Sequence, residues 1–145
     1  MENLEVNMYS TRQAVYIIFE KDGKFLLGQR QNTGYKDGYW AFVQGHIEEG
    51  ETATHAAIRE AKEDAGVDAN LEFALVCLNQ VHIHYTDYVF SCKEWHGEIK
   101  NMEAEKCAEL KWFAPNELPD NSIFQVKEYI RAYLDKVRFI EIDKE

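Results

Sequence analysis

An α/β or α+β sandwich is the fold class this sequence predicts, and three observations predict it. Apolar, β-branched runs recur along most of the chain, two segments carry the 3.6-residue period of a helix, and those two segments are separated by strands rather than gathered at one end. With 145 residues and no repeat, low-complexity tract or linker, the chain reads as one domain able to bury a core.

Taken in order, residues 14–20 (AVYIIFE) and 24–30 (KFLLGQR) are apolar runs joined at Asp22 and Gly23, the signature of a β-hairpin. Residues 31–39 are rich in Gly, Asn and Asp and read as a loop leading into a short strand, WAFV, at 40–43. A second loop follows at 44–51. Thr52 is a candidate N-cap, residues 53–65 contain strong helix formers, and Gly66 stands where a helix-ending glycine belongs. Residues 71–80 and 81–92 read as two long strands, 95–109 as a polar interruption and 110–114 as a further short strand. Pro115 and Pro119 then break the chain. Ser122 is placed to cap a last helix over 123–135, in which Val126, Tyr129, Ile130 and Tyr133 or Leu134 form one apolar stripe for the core. The tail from 137 onward is left open as a strand, a dimer contact or a frayed end.

Lys and Arg number 16 against 26 Asp and Glu, giving a net charge of −10 and a pI near 5.0. That balance opposes nucleic-acid polymers and anionic membranes at long range, yet admits small anions escorted by cations. The 46% hydrophobic and 13% aromatic content is too apolar for a disordered acidic chain. No run reaches the length of a membrane span, and the first ten residues lack the basic and apolar regions of a leader, so a cytoplasmic protein is expected. Cys77, Cys92 and Cys107 form no C-x-x-C pair and read as free thiols.

The helix at 53–65 holds the chemistry. At 100° per residue, Ala57, Ala61, Ala65 and Ile58 share one arc, Glu60, Glu63 and Asp64 an adjacent one, and Arg59, His55 and Lys62 the remaining side. Ala53 and Ala56 flank the acids and leave room beside them. Like charges three and four residues apart repel on a helix, so these carboxylates are either a solvated face or a site for a cation. Oxygen-only ligands suit Mg²⁺ or Mn²⁺. The acid is also unevenly spread: residues 45–67 hold six acids against two bases, and residues 94–109 five against two.

Written out, GHIEEGETATHAAIREAKEDAGV (45–67) resembles the Nudix box, G-x5-E-x7-R-E-U-x-E-E-x-G-U, where U is aliphatic. Gly45, Glu51, Arg59, Glu60, Glu63 and Gly66 match, Ala61 and Val67 fill the aliphatic positions, and Asp64 replaces a Glu. The order of hairpin, aromatic strand, box, strands and closing helix is also similar to that family over nearly the whole chain. The resemblance implies an α/β/α sandwich around a mixed sheet and Mg²⁺-dependent hydrolysis of a nucleoside diphosphate linked to another group. It places metal ligands on Glu60, Glu63, Asp64 and the Gly45 carbonyl, and supporting roles on Glu51 and Arg59, with Arg59 orienting the acids. A further Glu is expected from a later loop, where Glu103, Glu105 and Glu109 are candidates and Glu105 is taken into the expected metal set. Two departures stand out. Asp64 is one methylene shorter than Glu, which implies weaker or water-mediated coordination, and Gln44 occupies a position where many members have a second Gly.

From these roles, Glu60 is expected as the principal metal ligand, Glu63 as ligand or general base and Asp64 as an auxiliary ligand. Arg30 and Lys24 are candidate phosphate contacts. Tyr35, Tyr39, Trp40 and Phe42 offer aromatic surface for a base, with core packing the alternative. His82 and His84 alternate on an expected strand, as a solvated face or a second polar site. Tyr85 lies 18 residues past the box, a position where dinucleoside polyphosphate hydrolases of the family tend to have Tyr, and the proline of many ADP-ribose hydrolases is replaced by His82 and Ile83. The expected activity is cleavage of a nucleoside triphosphate to the monophosphate and pyrophosphate. Dinucleoside polyphosphates, sugar nucleotides or a catalytically weak nucleotide sensor are the alternatives, and a homodimer is an open possibility.

Overall fold

The computed structural model describes residues 9–145, so most of the segment read for a leader lies outside it. In chain order the elements are β1 (Arg12–Lys21), β2 (Lys24–Arg30), β3 (Trp40–Ala41), β4 (Val43–His46), α1 (Ala53–Ala65), β5 (Asp68–Asn79), β6 (Tyr85–His96), β7 (Cys107–Phe113), α2 (Phe124–Leu134) and β8 (Phe139–Ile142). A 3₁₀ turn at Pro115–Glu117 precedes α2. No helix among the described residues is long and apolar enough to cross a membrane.

The organising strand is β1. It pairs antiparallel with β4, parallel with β6 and, at its far end, antiparallel with β2. Its unbroken apolar run is explained by burial on both faces: Val15, Ile17 and Phe19 pack under α1, and Ala14, Tyr16 and Ile18 under α2. Asp22 and Gly23 both take positive φ, 53° and 74°, as a two-residue hairpin turn of right-handed twist requires. Beyond β6, β5 pairs antiparallel and β8 extends the sheet in parallel, so the open tail is a strand.

Four expectations change. The strand at 40–43 divides at Phe42, because β3 pairs with β2 while β4 pairs with β1, and β4 then runs on to His46 into the expected loop. The strands at 71–80 and 81–92 are instead Asp68–Asn79 and Tyr85–His96. The Asn79 side chain accepts the Val81 N–H at 3.2 Å, and this local turn places His82 and His84 in the connection. Ser122 does not cap α2: its hydroxyl donates to the Pro119 carbonyl at 2.9 Å, and Ile123 stands at the helix start without a side-chain cap. On α1 the buried arc is Ala56, Ala57, Ala61 and Ala65, with Ile58 42% exposed. The helix lies close against the sheet, and only alanine-sized groups fit beneath it.

The ends of α1 follow the sequence reading. Thr52 Oγ1 accepts the His55 N–H at 3.1 Å, and Gly66, at φ 73°, donates to the Lys62 carbonyl. On α2, Val126, Tyr129 and Ile130 are buried, Tyr133 is half-buried and Leu134 is exposed. Cys77 and Cys92 are buried and Cys107 partly so, all as free thiols; burial pushes Cys77 up to about 11.

Candidate active site

A cleft of roughly 1090 Å³ runs from the carboxylates of α1, past the end of β4, to the start of α2. Its acidic end is built by Glu60, Glu63 and Asp64 of α1 and by Glu103 from the loop between β6 and β7. Arg59 threads through this group. Its Nε and Nη2 donate to the two oxygens of Glu51 at 2.7 and 2.9 Å, its Nη1 to Glu60 at 2.9 Å and Glu63 at 3.3 Å, and its Nη2 also to the His46 carbonyl at 3.0 Å. The helical wheel alone leaves Arg59 outside the arc of acids, although the resemblance gives it the role of orienting them. The long side chain instead reaches back across them, which fixes Glu60 and Glu63 relative to β4.

Glu51 is fixed in turn, since it also accepts the Glu48 N–H at 2.9 Å; Arg59's hydrogen bonds and that amide hold its carboxyl down at about 2. The Arg59 guanidinium is raised further by the same contacts. Glu60 is pushed up by burial, against the pull of Arg59. Asp64 is pushed up to about 8, first by burial and then by Glu60, Glu103 and Glu63, with no cation of its own. One guanidinium therefore serves a group of acids that exceeds its charge.

Whether a divalent cation fits this wall can be judged from the wall itself. Its donors are oxygens only, its charge is uncompensated, and Glu60 lies in the space a Gly45 side chain would fill: a Cβ there would stand 2.1 Å from Glu60 Oε1. Any residue larger than glycine would push that carboxylate out of place. Among the described residues no three His, Cys, Asp or Glu side chains form a ready-made cage. Glu60 and Glu63 turn toward Arg59.

The remaining expected residues divide. Arg30, Tyr35, Phe42, Tyr85 and His82 line the cleft. Arg30 is held by its own loop, with Nε donating to the Tyr35 carbonyl at 2.9 Å and Nη2 to Thr33 Oγ1 at 3.1 Å, and Asp37 accepts the Thr33 and Gly34 amides beneath it. Tyr85 stacks on His46, with ring centroids 5.7 Å apart, and shares a 2.9 Å hydrogen bond with it. Trp40 does not reach the cleft: it is buried, edge-on to Phe113 at 4.9 Å. Tyr39 lies beside Lys36, and Lys24 lies next to Trp112 in a separate shallow depression, so neither faces the site. His84 pairs with Tyr9. Of the three later glutamates, Glu103 lines the cleft and Glu105 and Glu109 do not. Glu105 is tied to the preceding loop through its backbone, its carbonyl accepting from Asn32 Nδ2 at 2.9 Å.

The sequence reading gave no role to Tyr16, Asn79, Asp87 and Gln125 at the other end of the cleft. Asn79 and Asp87 had a signal: each is polar at a position of an apolar strand that faces the core.

A mixed-sheet sandwich in which a carboxylate-bearing helix and an arginine clamp form one wall of a long cleft suits a hydrolase of pyrophosphate bonds, and the comparisons with known proteins show that class. The NUDIX domain model matches residues 9–134, and the chain belongs to that family. Among curated relatives, the CTP pyrophosphohydrolase of Escherichia coli (strain K12) is 30% identical over 111 residues, 72% of this chain and 77% of that protein. An ADP-ribose pyrophosphatase of Methanocaldococcus jannaschii is 34% identical over 125 residues, 83% of this chain and 72% of that protein. A putative 8-oxo-dGTP diphosphatase 3 of Mycobacterium tuberculosis is 33% identical over 103 residues, 66% of this chain but only 46% of that protein. Among solved structures, a MutT NUDIX hydrolase from Burkholderia pseudomallei superposes with a TM-score of 0.74 at 24% identity, covering 89% of this chain and 99% of that one, which shows the shared fold.

Proposed function

We propose that the protein hydrolyses nucleoside triphosphates to the monophosphate and pyrophosphate in a Mg²⁺-dependent reaction. The observation that carries this reading is the polarity of the cleft. Uncompensated carboxylates sit at one end, where a cation-escorted phosphate chain belongs, and aromatic and amide groups sit at the other, where a base belongs. Relatives named for CTP and 8-oxo-dGTP substrates support it.

Glu60, Glu63, Asp64 and the Gly45 carbonyl would hold the cation, with Glu103 as the added acid in place of Glu105. Bound there, Mg²⁺ or Mn²⁺ supplies charge neutralisation and acidifies a coordinated water. The chain's own residues do the rest. Glu51 clamps Arg59, and Arg59 orients Glu60 and Glu63. Glu63 is half-exposed and holds only the longer 3.3 Å contact with Arg59, which makes it the group free to take a proton from the attacking water. Arg30, presented by its rigid loop, meets the phosphates from the opposite wall.

Product analysis tests this. Incubation with Mg²⁺ and a nucleotide panel should release the monophosphate and pyrophosphate, and Glu63→Gln should lose that release. Ligand-induced stabilisation without product would make the domain a sensor instead.

A further inference from the structure

The cleft changes faces of the sheet at the end of β4. Gly45 pairs with Val15, whose side chain packs under α1, and it opens onto Glu60; His46 pairs with Ala14, which packs under α2. Side chains alternate along a strand, so Gly45 belongs to the acidic face and His46 to the opposite one. A ligand reaching from the carboxylates of α1 to Gln125 of α2 therefore passes His46, which is exposed and lines the cleft.

His46 is held there through backbone and ring alike. Its carbonyl accepts from Arg59 Nη2 at 3.0 Å. Its Nε2 shares the 2.9 Å hydrogen bond with the Tyr85 hydroxyl, and the two rings lie within 12° of parallel. Register explains the meeting. β1 carries Ala14 opposite His46 along one side and Arg12 opposite Tyr85 along the other, which sets both rings on one face, across β1. Among the described residues Nδ1 has no hydrogen-bond partner.

An imidazole fixed through one nitrogen and free at the other is a donor with a set direction: when the Tyr85 hydroxyl donates to Nε2, the ring proton stands on Nδ1. The neighbouring guanidinium of Arg59 is already engaged by Glu51, Glu60 and Glu63. With the phosphates of a nucleotide at the carboxylates and its base toward α2, the group beside His46 is the junction between them, the phosphate that carries the nucleoside.

We propose that His46 binds that phosphate through Nδ1, with Tyr85 as the positioning residue that fixes its ring. This rests on the nucleotide reading above and assigns a substrate contact on the sheet face opposite the carboxylates.

Calorimetric binding of the two products, which needs no turnover, tests it. With Mg²⁺ present, His46→Phe keeps an aromatic ring but removes the nitrogens, and it should weaken the common ribonucleoside 5′-monophosphates by on the order of tenfold or more while pyrophosphate, held at the carboxylates, keeps its Kd. His46→Asn, whose amide stands near the Nδ1 position, should recover part of that loss. Tyr85→Phe should weaken mononucleotides about threefold in the wild type and not at all in the His46→Asn background, a coupling that a merely structural role would not show. If the two rings instead stacked on the base, the order of the His46 variants would reverse, with His46→Phe binding well and His46→Asn poorly, and that result overturns the proposal. So does mononucleotide affinity unchanged in His46→Phe, an equal loss for pyrophosphate, or a wild type that binds pyrophosphate but no mononucleotide; each of these leaves the hydrolytic reading in place. A wild type that binds neither product would remove both.

Discussion

At the α1 end of the cleft, Glu60 and Glu63 share the permanently charged Arg59, and Glu63 stays half-exposed. At the α2 end, Asp87 is fully buried beside the neutral donors Tyr129 and Asn79. Both ends hold acids that burial makes harder to ionise, yet the surroundings differ in what they permit. A guanidinium clamp keeps carboxylates charged and aimed while leaving lone pairs for a cation. The Tyr129 hydroxyl and the Asn79 amide instead donate to one Asp87 oxygen and fix the direction of those two hydrogen bonds, while the other oxygen is buried without a partner.

That contrast can be broken most sharply at Glu63. Glu63→Gln keeps the shape and removes the charge, and kcat should fall by about 10²–10⁴-fold while the fold remains; near-normal turnover would remove Glu63 from the mechanism. At the opposite end the expected signature is stability. Asp87 titrates near 6 in the folded protein against an ordinary value of 3.8, so its contribution is fully present below 3.8 and is lost as pH rises through about 6. The loss is about 3 kcal/mol at neutral pH. Denaturant unfolding of Asp87→Asn should therefore gain on the wild type by up to that amount between pH 4 and 7, and a pH-independent difference would contradict the burial of a charged Asp87.

Gly45→Ala sharpens the same comparison. The added Cβ meets only the mobile end of Glu60, so Tm should barely move, but Glu60 must leave its place and kcat/KM should drop about 100-fold. Arg59→Lys should have the smallest effect. A single ammonium cannot make the bidentate contact with Glu51, and a stability loss of about 1–2 kcal/mol, read from unfolding, is expected alongside reduced turnover.

The acidic end was legible in the sequence because its residues are close in the chain: Glu51 to Asp64 span one loop and one helix, and helical periodicity alone gathers the three acids. The reach of Arg59 to the acids, which a helical wheel does not represent, was legible only through the resemblance. One detail was not legible there: Glu103 rather than Glu105 faces the cleft because of a loop that has no period to read. The α2 end was not legible, since Tyr16, Gln44, Asn79, Asp87 and Gln125 come from five elements and meet only through sheet register. Trp40 failed as a substrate residue for a related reason: division of the 40–43 strand at Phe42 turns it into the core against Phe113.

The account stands most directly on phosphorus-resolved product analysis of a cytidine nucleoside triphosphate incubated with the protein and Mg²⁺. It predicts monophosphate and pyrophosphate in equal amounts, dependent on the divalent cation and lost in Glu63→Gln. Release of diphosphate and phosphate, or undiminished product from Glu63→Gln, would contradict it.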